Sequence, residues 1–326
     1  MLKYTQIRHG ETRWGEVLEN SPWDRPDVRY VLVGIPEDIG VRANGGVAGA
    51  AYTPEAVFRA LCNLQSNRWT PSGVGLWGLV DVDDLQRLSQ GLDPRQSADL
   101  ERLRQLTSEV DNRVQSALLS IFQAGKIPVV LGGGHNNAYP LLAAAFAHRG
   151  APLDALNLDA HTDWRPLEGR HSGNGFTAAR QAGALSHYAV WGLQESYTPE
   201  AIWNDFAGDS KRSYATYESF AVRQAWTEDD AFARCLQFLR PDAPFGLEVD
   251  VDVASNFPSS AQSATGVGVE SLRQKVYQAA QTQRPAYLHL CEAHAIDPEG
   301  RPIPGVAKAL AALVVDFIRG MEAPLE

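Results

Sequence analysis

Three short segments gather side chains able to hold a metal ion or move a proton. They are Leu131-Gly132-Gly133-Gly134-His135-Asn136-Asn137, Asn157-Leu158-Asp159-Ala160-His161-Thr162-Asp163 and Leu247-Glu248-Val249-Asp250-Val251-Asp252. On an extended strand, residues two apart project to the same side. Asp159 therefore shares a face with His161, and Asp250 with Asp252, while Asp163 falls on the loop just beyond. Singly, a Gly-Gly-Gly-His run is a common tight turn and Asp-x-Asp is often a half-exposed strand edge. Asp-Ala-His-x-Asp is rarer, because it crowds three liganding side chains into one short stretch. Four carboxylates brought together repel one another and take up protons unless cations neutralise them, which two divalent ions would do. Mixed imidazole and carboxylate donors suit manganese, iron, nickel or zinc better than magnesium or calcium. The expectation is a two-metal hydrolytic centre held by His135, Asp159, His161, Asp163, Asp250 and Asp252, where water becomes nucleophilic near neutral pH without a protein base.

Alternating short β-rich runs and helical stretches must position these residues. Strands are expected at Tyr30–Gly34, Ile127–Leu131, Asp154–Leu158, His187–Trp191, Phe245–Val251 and Ala286–Leu290. Helices are expected at Pro54–Leu64 (Thr53 as N-cap), Ala98–Ala124, Asn137–His148, Asp229–Leu239, Glu270–Gln281 and Pro304–Arg319. Asn67–Gly78 and Gly91–Ser97 read as surface connections. Such alternation implies parallel βαβ units with helices on both faces of one sheet, and a single domain over residues 1–326. In such sheets ligands bind beyond the carboxyl ends of the strands, where all three segments lie.

Bulk properties narrow the classes further. Of 326 residues, 44% are hydrophobic and 21% charged, enough for a sizeable core, and the net charge of −10 carries no basic stripe for nucleic acid. Three cysteines (Cys62, Cys235, Cys291) make no disulfide framework. Residues 1–20 are polar and mixed in charge, unlike a secretory signal, and no apolar run reaches the ~20 residues of a membrane span. A cytoplasmic protein without membrane or nucleic-acid partners is expected. Gly132-Gly133-Gly134 lacks the lysine and hydroxyl residue of a phosphate-binding P-loop, and the first strand is followed by no dinucleotide-binding glycine pattern. His9, His148, His187 and His289 have no liganding neighbours at useful spacing and read as surface or core residues.

The three motifs together resemble the ureohydrolase superfamily of arginase, agmatinase and formimidoylglutamase. The resemblance runs from Gly34-Ile35-Pro36, through Gly40, Gly45, Gly46, Gly49 and Thr53-Pro54-Glu55-Ala56-Val57-Phe58-Arg59, to Glu292. It implies a three-layer α/β/α sandwich on a mostly parallel, roughly eight-stranded sheet. It also implies two manganese ions: His135 and Asp163 on one, His161 and Asp252 on the other, and Asp159 and Asp250 bridging. The implied substrate is a small amidine or guanidine, with Asp163 carrying the proton to the leaving amine and Glu292 facing the cationic amidinium. Relatives often form homo-oligomers, and one is expected here.

Departures narrow the subfamily. Asp252 is followed by Val253-Ala254-Ser255 rather than the Asp-Pro run of arginases. Phe176 stands where arginases carry a proton-shuttling histidine, whereas His171 precedes the serine and is a catalytic candidate only in that displaced position. The stretch Asp163–Phe176 looks like formimidoylglutamase. N-formimidoyl-glutamate carries two carboxylates, and Arg165 and Arg170 could grip them through bidentate contacts, with Ser172 and Asn174 completing a substrate-binding loop. The expected reaction converts N-formimidoyl-L-glutamate and water to L-glutamate and formamide, a step of histidine degradation. Alternatives are hydrolysis of another guanidino compound (arginine, agmatine, guanidinobutyrate or guanidine) and a catalytically silent metal-binding member. The silent alternative is disfavoured because no metal position is lost.

Overall fold

Every residue of the run Tyr30–Gly34 is buried, as continuous apolar runs are when both faces of a parallel sheet are covered. The computed structural model describes residues 1–19 and 21–324. Readings of residues 1–20 and of the 1–326 span thus include positions 20, 325 and 326, which lie outside the described residues. The strands are β1 (Tyr30–Gly34), β2 (Val74–Leu79), β3 (Ile127–Leu131), β4 (Leu153–Leu158), β5 (Leu185–Leu193), β6 (Arg212–Thr216), β7 (Phe245–Asp250) and β8 (Tyr287–Cys291). They form one eight-stranded sheet in the order β2-β1-β3-β8-β7-β4-β5-β6, with every pairing parallel.

Side chains alternate across this sheet, and the two faces bury separate cores. Leu32, Leu131, Leu158, Trp191, Val249 and Leu290 pack under the helices Thr53–Cys62, Glu228–Phe238, Val269–Gln283 and Val306–Glu322. Val31, Val33, Val130, Ala155, Tyr188 and Tyr287 pack under Ser97–Gln123, Ala138–Arg149, Gly175–Gln181 and Glu200–Ala207. The expected α/β/α sandwich is therefore present. Among the described residues no helix is long and apolar enough to cross a membrane.

Two local expectations are corrected. Part of Asn67–Gly78 is not a surface connection, since Val74–Leu79 pairs with β1 as an edge strand. Thr53 does not cap the helix; it is the first helical residue, and its hydroxyl donates to the Ala293 carbonyl, which ties the helix to the loop after β8. The sheet order also brings the carboxyl ends of β3, β8, β7 and β4 side by side at its centre. The loops leaving those four ends carry the metal-type residues.

Candidate metal centre

After β3 the chain turns through Gly132 and Gly133, at φ 76° and 74°, a region glycine enters without steric cost. A Cβ on Gly133 would stand 2.4 Å from Asn137 Nδ2 and 2.9 Å from Glu37 Oε1. Glu37, fully buried, accepts hydrogen bonds from Gly134 N (2.9 Å), Asn137 Nδ2 (2.6 Å) and Ile39 N (2.8 Å). It thereby pins the loop that delivers His135. His135 N in turn donates to Glu292 Oε1 at 2.9 Å.

His135 Nδ1 faces three carboxylates: Asp163 Oδ2 at 2.8 Å, Asp159 Oδ2 at 3.2 Å and Asp250 Oδ2 at 3.4 Å. His161 Nδ1 lies 2.9 Å from Asp252 Oδ2 and 3.6 Å from Asp159 Oδ1. Among the described residues ligand-type atoms close enough for a metal converge in three groups; one without a carboxylate is His135, His289 and Cys291, and the two that bear carboxylates are His135, Asp159, Asp163 and Asp250, and Asp159, His161 and Asp252. Asp159 belongs to both. Asp250 joins only the first, and its Oδ1 accepts from Asp252 N at 3.0 Å. The backbone is bent to bring two acids inward: Asp163 has φ 45° and Glu292 φ 62°. Such left-handed conformations in non-glycine residues cost about 1–3 kcal/mol each and gather at functional sites.

Burial and mutual repulsion dominate the electrostatics. Burial, with the Asp159 charge beside it, pushes the Asp163 carboxyl above its usual range. Burial and Asp252 push Asp250 well above. Burial lifts Glu292 to about 8. Asp159 moves the other way, because His135 and His161 outweigh its burial and hold it low. Both imidazoles are raised against their burial, His135 by Cys291 and the carboxylates, His161 by Asp252 and Asp159. Nδ1 of His135 has no hydrogen-bond partner despite complete burial. This donor set, anionic, mixed nitrogen and oxygen, and convergent, fits a pair of divalent transition-metal ions.

The other sequence candidates divide. Arg165 is half exposed, donating to Asn44 Oδ1 (2.6 Å) and Glu168 Oε1 (3.0 Å). Ser172 is beside it, its Oγ accepting from Asn44 Nδ2 at 3.3 Å. Arg170 is not placed to grip a substrate: its guanidinium is buried on Asp111 (2.8 Å), the Asn136 carbonyl (2.8 Å) and Asn174 Oδ1. Asn174 likewise faces the loop, donating to the Gly169 carbonyl at 2.8 Å and accepting from His171 N. These two hold the loop's shape. His171 is fully buried and joins neither cluster, and burial, followed by Arg165, Arg104 and Arg170, pushes its imidazole down to about 3. Phe176 packs edge-on to His135 with ring centroids 5.2 Å apart.

Several neighbours of the site carry no sequence motif. Tyr197 stacks on His161 (5.3 Å, 17°) from a loop with no motif to mark it. Glu37 and Asp111 act from 97 and 59 residues away from their partners. His289 is a core histidine, as expected, and lies 2.6 Å from Glu248.

Comparison with known proteins adds independent support. The model of the Arginase family matches residues 28–285. A formimidoylglutamase of Salmonella heidelberg (strain SL476) is 28% identical over 261 residues, covering 76% of this chain and 71% of the relative. The fold is similar to that of Trypanosoma cruzi formiminoglutamase crystallised with Mn2+, with TM-score 0.76 and 19% identity over 96% of this chain and 99% of that one. It is also similar to that of Bacillus subtilis formimidoylglutamase, with TM-score 0.78 and 16% identity over 98% and 95%.

Proposed function

The chain belongs to the arginase family, and from that membership we propose that it is a binuclear-metal hydrolase converting N-formimidoyl-L-glutamate and water to L-glutamate and formamide. The observation that carries the proposal is the convergence of His135, Asp159, Asp163 and Asp250 beside Asp159, His161 and Asp252, with Asp159 common to both clusters. The formimidoylglutamase relatives supply the choice of substrate. The six residues would hold two manganese ions, as the T. cruzi relative's Mn2+ suggests. Such a pair, when bound, supplies a water acidic enough to be nucleophilic near neutral pH.

The protein groups do the rest. Glu292, fixed through one oxygen to His135 N, offers its carboxylate to the cationic amidinium and orients its carbon toward the cluster. Asp163, its Oδ2 2.8 Å from His135 Nδ1 and its backbone turned inward, takes the proton of the attacking water on this reading and passes it to the departing amine. Phe176 keeps that side of the cluster apolar, so no histidine shuttles protons there. Arg165, half exposed, remains the substrate-carboxylate candidate. It would exchange Glu168 for the substrate, and Glu168 already has a second partner in Arg104 at 3.1 Å. On this reading residues 1–326 act as one catalytic unit, cytoplasmic and homo-oligomeric, in histidine breakdown. A monomer by light scattering contradicts the assembly part alone.

The test is a panel of N-formimidoyl-glutamate, arginine, agmatine, guanidinobutyrate and guanidine on one manganese-loaded preparation. Formamide released fastest from the first substrate supports the reading. Urea released faster from any other moves the protein to another branch of the family.

A further inference from the structure

Glu248 lies two residues before Asp250 on β7, on the same face and one pleat deeper in the sheet. Its register partner on β8 is His289, and both are fully buried. A buried carboxylate is tolerated only when its oxygens are paired. Here Tyr287 Oη donates to Oε1 at 2.6 Å and His289 Nδ1 lies 2.6 Å from Oε2. The other nitrogen of His289 is 3.3 Å from the Gly132 carbonyl, at the start of the loop that carries His135. Glu248 is therefore held in one place from two sides.

The same Oε2 is 3.5 Å from His135 Nε2, the ring nitrogen turned away from the metal-type carboxylates. That nitrogen is buried and has no hydrogen-bond partner of its own. Its other neighbour, the Cys291 thiol, donates to the Val249 carbonyl at 3.5 Å and is a weak acceptor. A neutral imidazole carries one N–H. If Nδ1 is to donate its lone pair on the side of Asp159, Asp163 and Asp250, the proton must sit on Nε2 and needs an acceptor there.

We propose that Glu248, braced by Tyr287 and His289, is a positioning residue that accepts the Nε2 proton of His135 and fixes the tautomer whose Nδ1 binds metal. A carboxylate behind a ligating histidine orients the ring and strengthens its donor nitrogen. The inference rests on the binuclear-metal reading and adds the tautomer and the affinity of one of its two positions. Of the two carboxylate-bearing clusters His135 belongs to one only, so weakening it should loosen one ion and spare the other.

Two measurements test this, neither reading turnover. The first is the tautomer of His135 in wild-type protein loaded with diamagnetic Zn2+, read by long-range 15N–1H correlation with His135→Asn to assign the signal. A proton on Nε2 is expected; a proton on Nδ1 overturns the proposal, and this reading does not depend on any Glu248 variant folding. The second is Mn2+ titration against a competing chelator, with circular dichroism to confirm the fold. Glu248→Gln should bind one of two ions about 10–100-fold more weakly, and Tyr287→Phe should stay within a few-fold of wild type. Wild-type affinity for both ions in folded Glu248→Gln overturns the proposal. Wild-type protein that takes up no Mn2+ instead overturns the functional reading on which it stands.

Discussion

Nδ1 of His135 lies 2.8 Å from Oδ2 of Asp163, although the two residues follow β3 and β4, which are not neighbours in the sheet. β8 and β7 lie between those strands, and their ends bring Glu292, Asp250 and Asp252 into the same space. The centre is thus a product of strand order: the chain leaves the middle of the sheet after β3 and fills the gap only with its last two strands.

On the proposed reading Asp163 both holds metal and carries a proton, and the amide of Asp163→Asn can do neither well. Turnover should fall by at least about 10²–10⁴, the usual contribution of a placed acid–base group. Steady-state kinetics at saturating Mn2+ checks this, and a loss below ten-fold contradicts the assignment.

Metal uptake should expel protons. Burial lifts Glu292 to about 8, and anionic neighbours raise His135 and His161 well above the usual imidazole value, so the metal-free cluster holds protons that metal binding must expel. Calorimetry of Mn2+ binding at pH 7 in buffers of different ionisation enthalpy should give a net release of at least one proton. Buffer-independent heats would contradict this electrostatic picture.

The two arginines should separate cleanly. Arg165→Ala should raise KM for N-formimidoyl-glutamate with kcat little changed, if, as proposed, the guanidinium grips only a substrate carboxylate. Arg170→Ala should instead strand the buried Asp111 carboxylate and cost about 3–5 kcal/mol of stability. Denaturant melts and kinetics on both variants distinguish the roles; the reverse pattern would mean that the loop rearranges on binding substrate.

His171 gives a pH signature. Its imidazole is held down to about 3 by burial, against about 6.5 in an unfolded chain. Between those values the unfolded state binds the extra proton. The stability gained by keeping the ring neutral is therefore complete above pH ~6.5 and declines as pH falls toward 3. In chelated protein the unfolding free energy of wild type should fall more steeply from pH 6.5 to 4 than that of His171→Gln. Parallel slopes would show that the ring is protonated or exposed in the native state.

What could be read from the chain, and what could not, follows from range. The buried central strands announced themselves because burial on both faces demands uninterrupted apolar runs; β1 and β3 have the expected limits. The edge strands did not: β2 (VGLWGL) is broken by glycines and β6 (RSYAT) is polar, since each has a partner on one side only. The six metal-type residues were legible because strand periodicity couples neighbours two apart. Arg170 was misread because its partner, Asp111, belongs to a helix 59 residues away, and no local pattern reports such a pairing. His289 was set aside for the same reason, its partner Glu248 being 41 residues distant and visible only once β7 and β8 are paired.

On the proposed function one centre holds two metal ions and uses them for hydrolysis. Metal analysis of Mn2+-reconstituted, gel-filtered protein, read alongside formamide release from N-formimidoyl-glutamate, tests it most directly. Close to two ions per chain are expected, with formamide release lost on chelation, restored by Mn2+ and absent in Asp159→Asn. One ion or none per chain, or an Asp159→Asn variant with wild-type turnover, would contradict it.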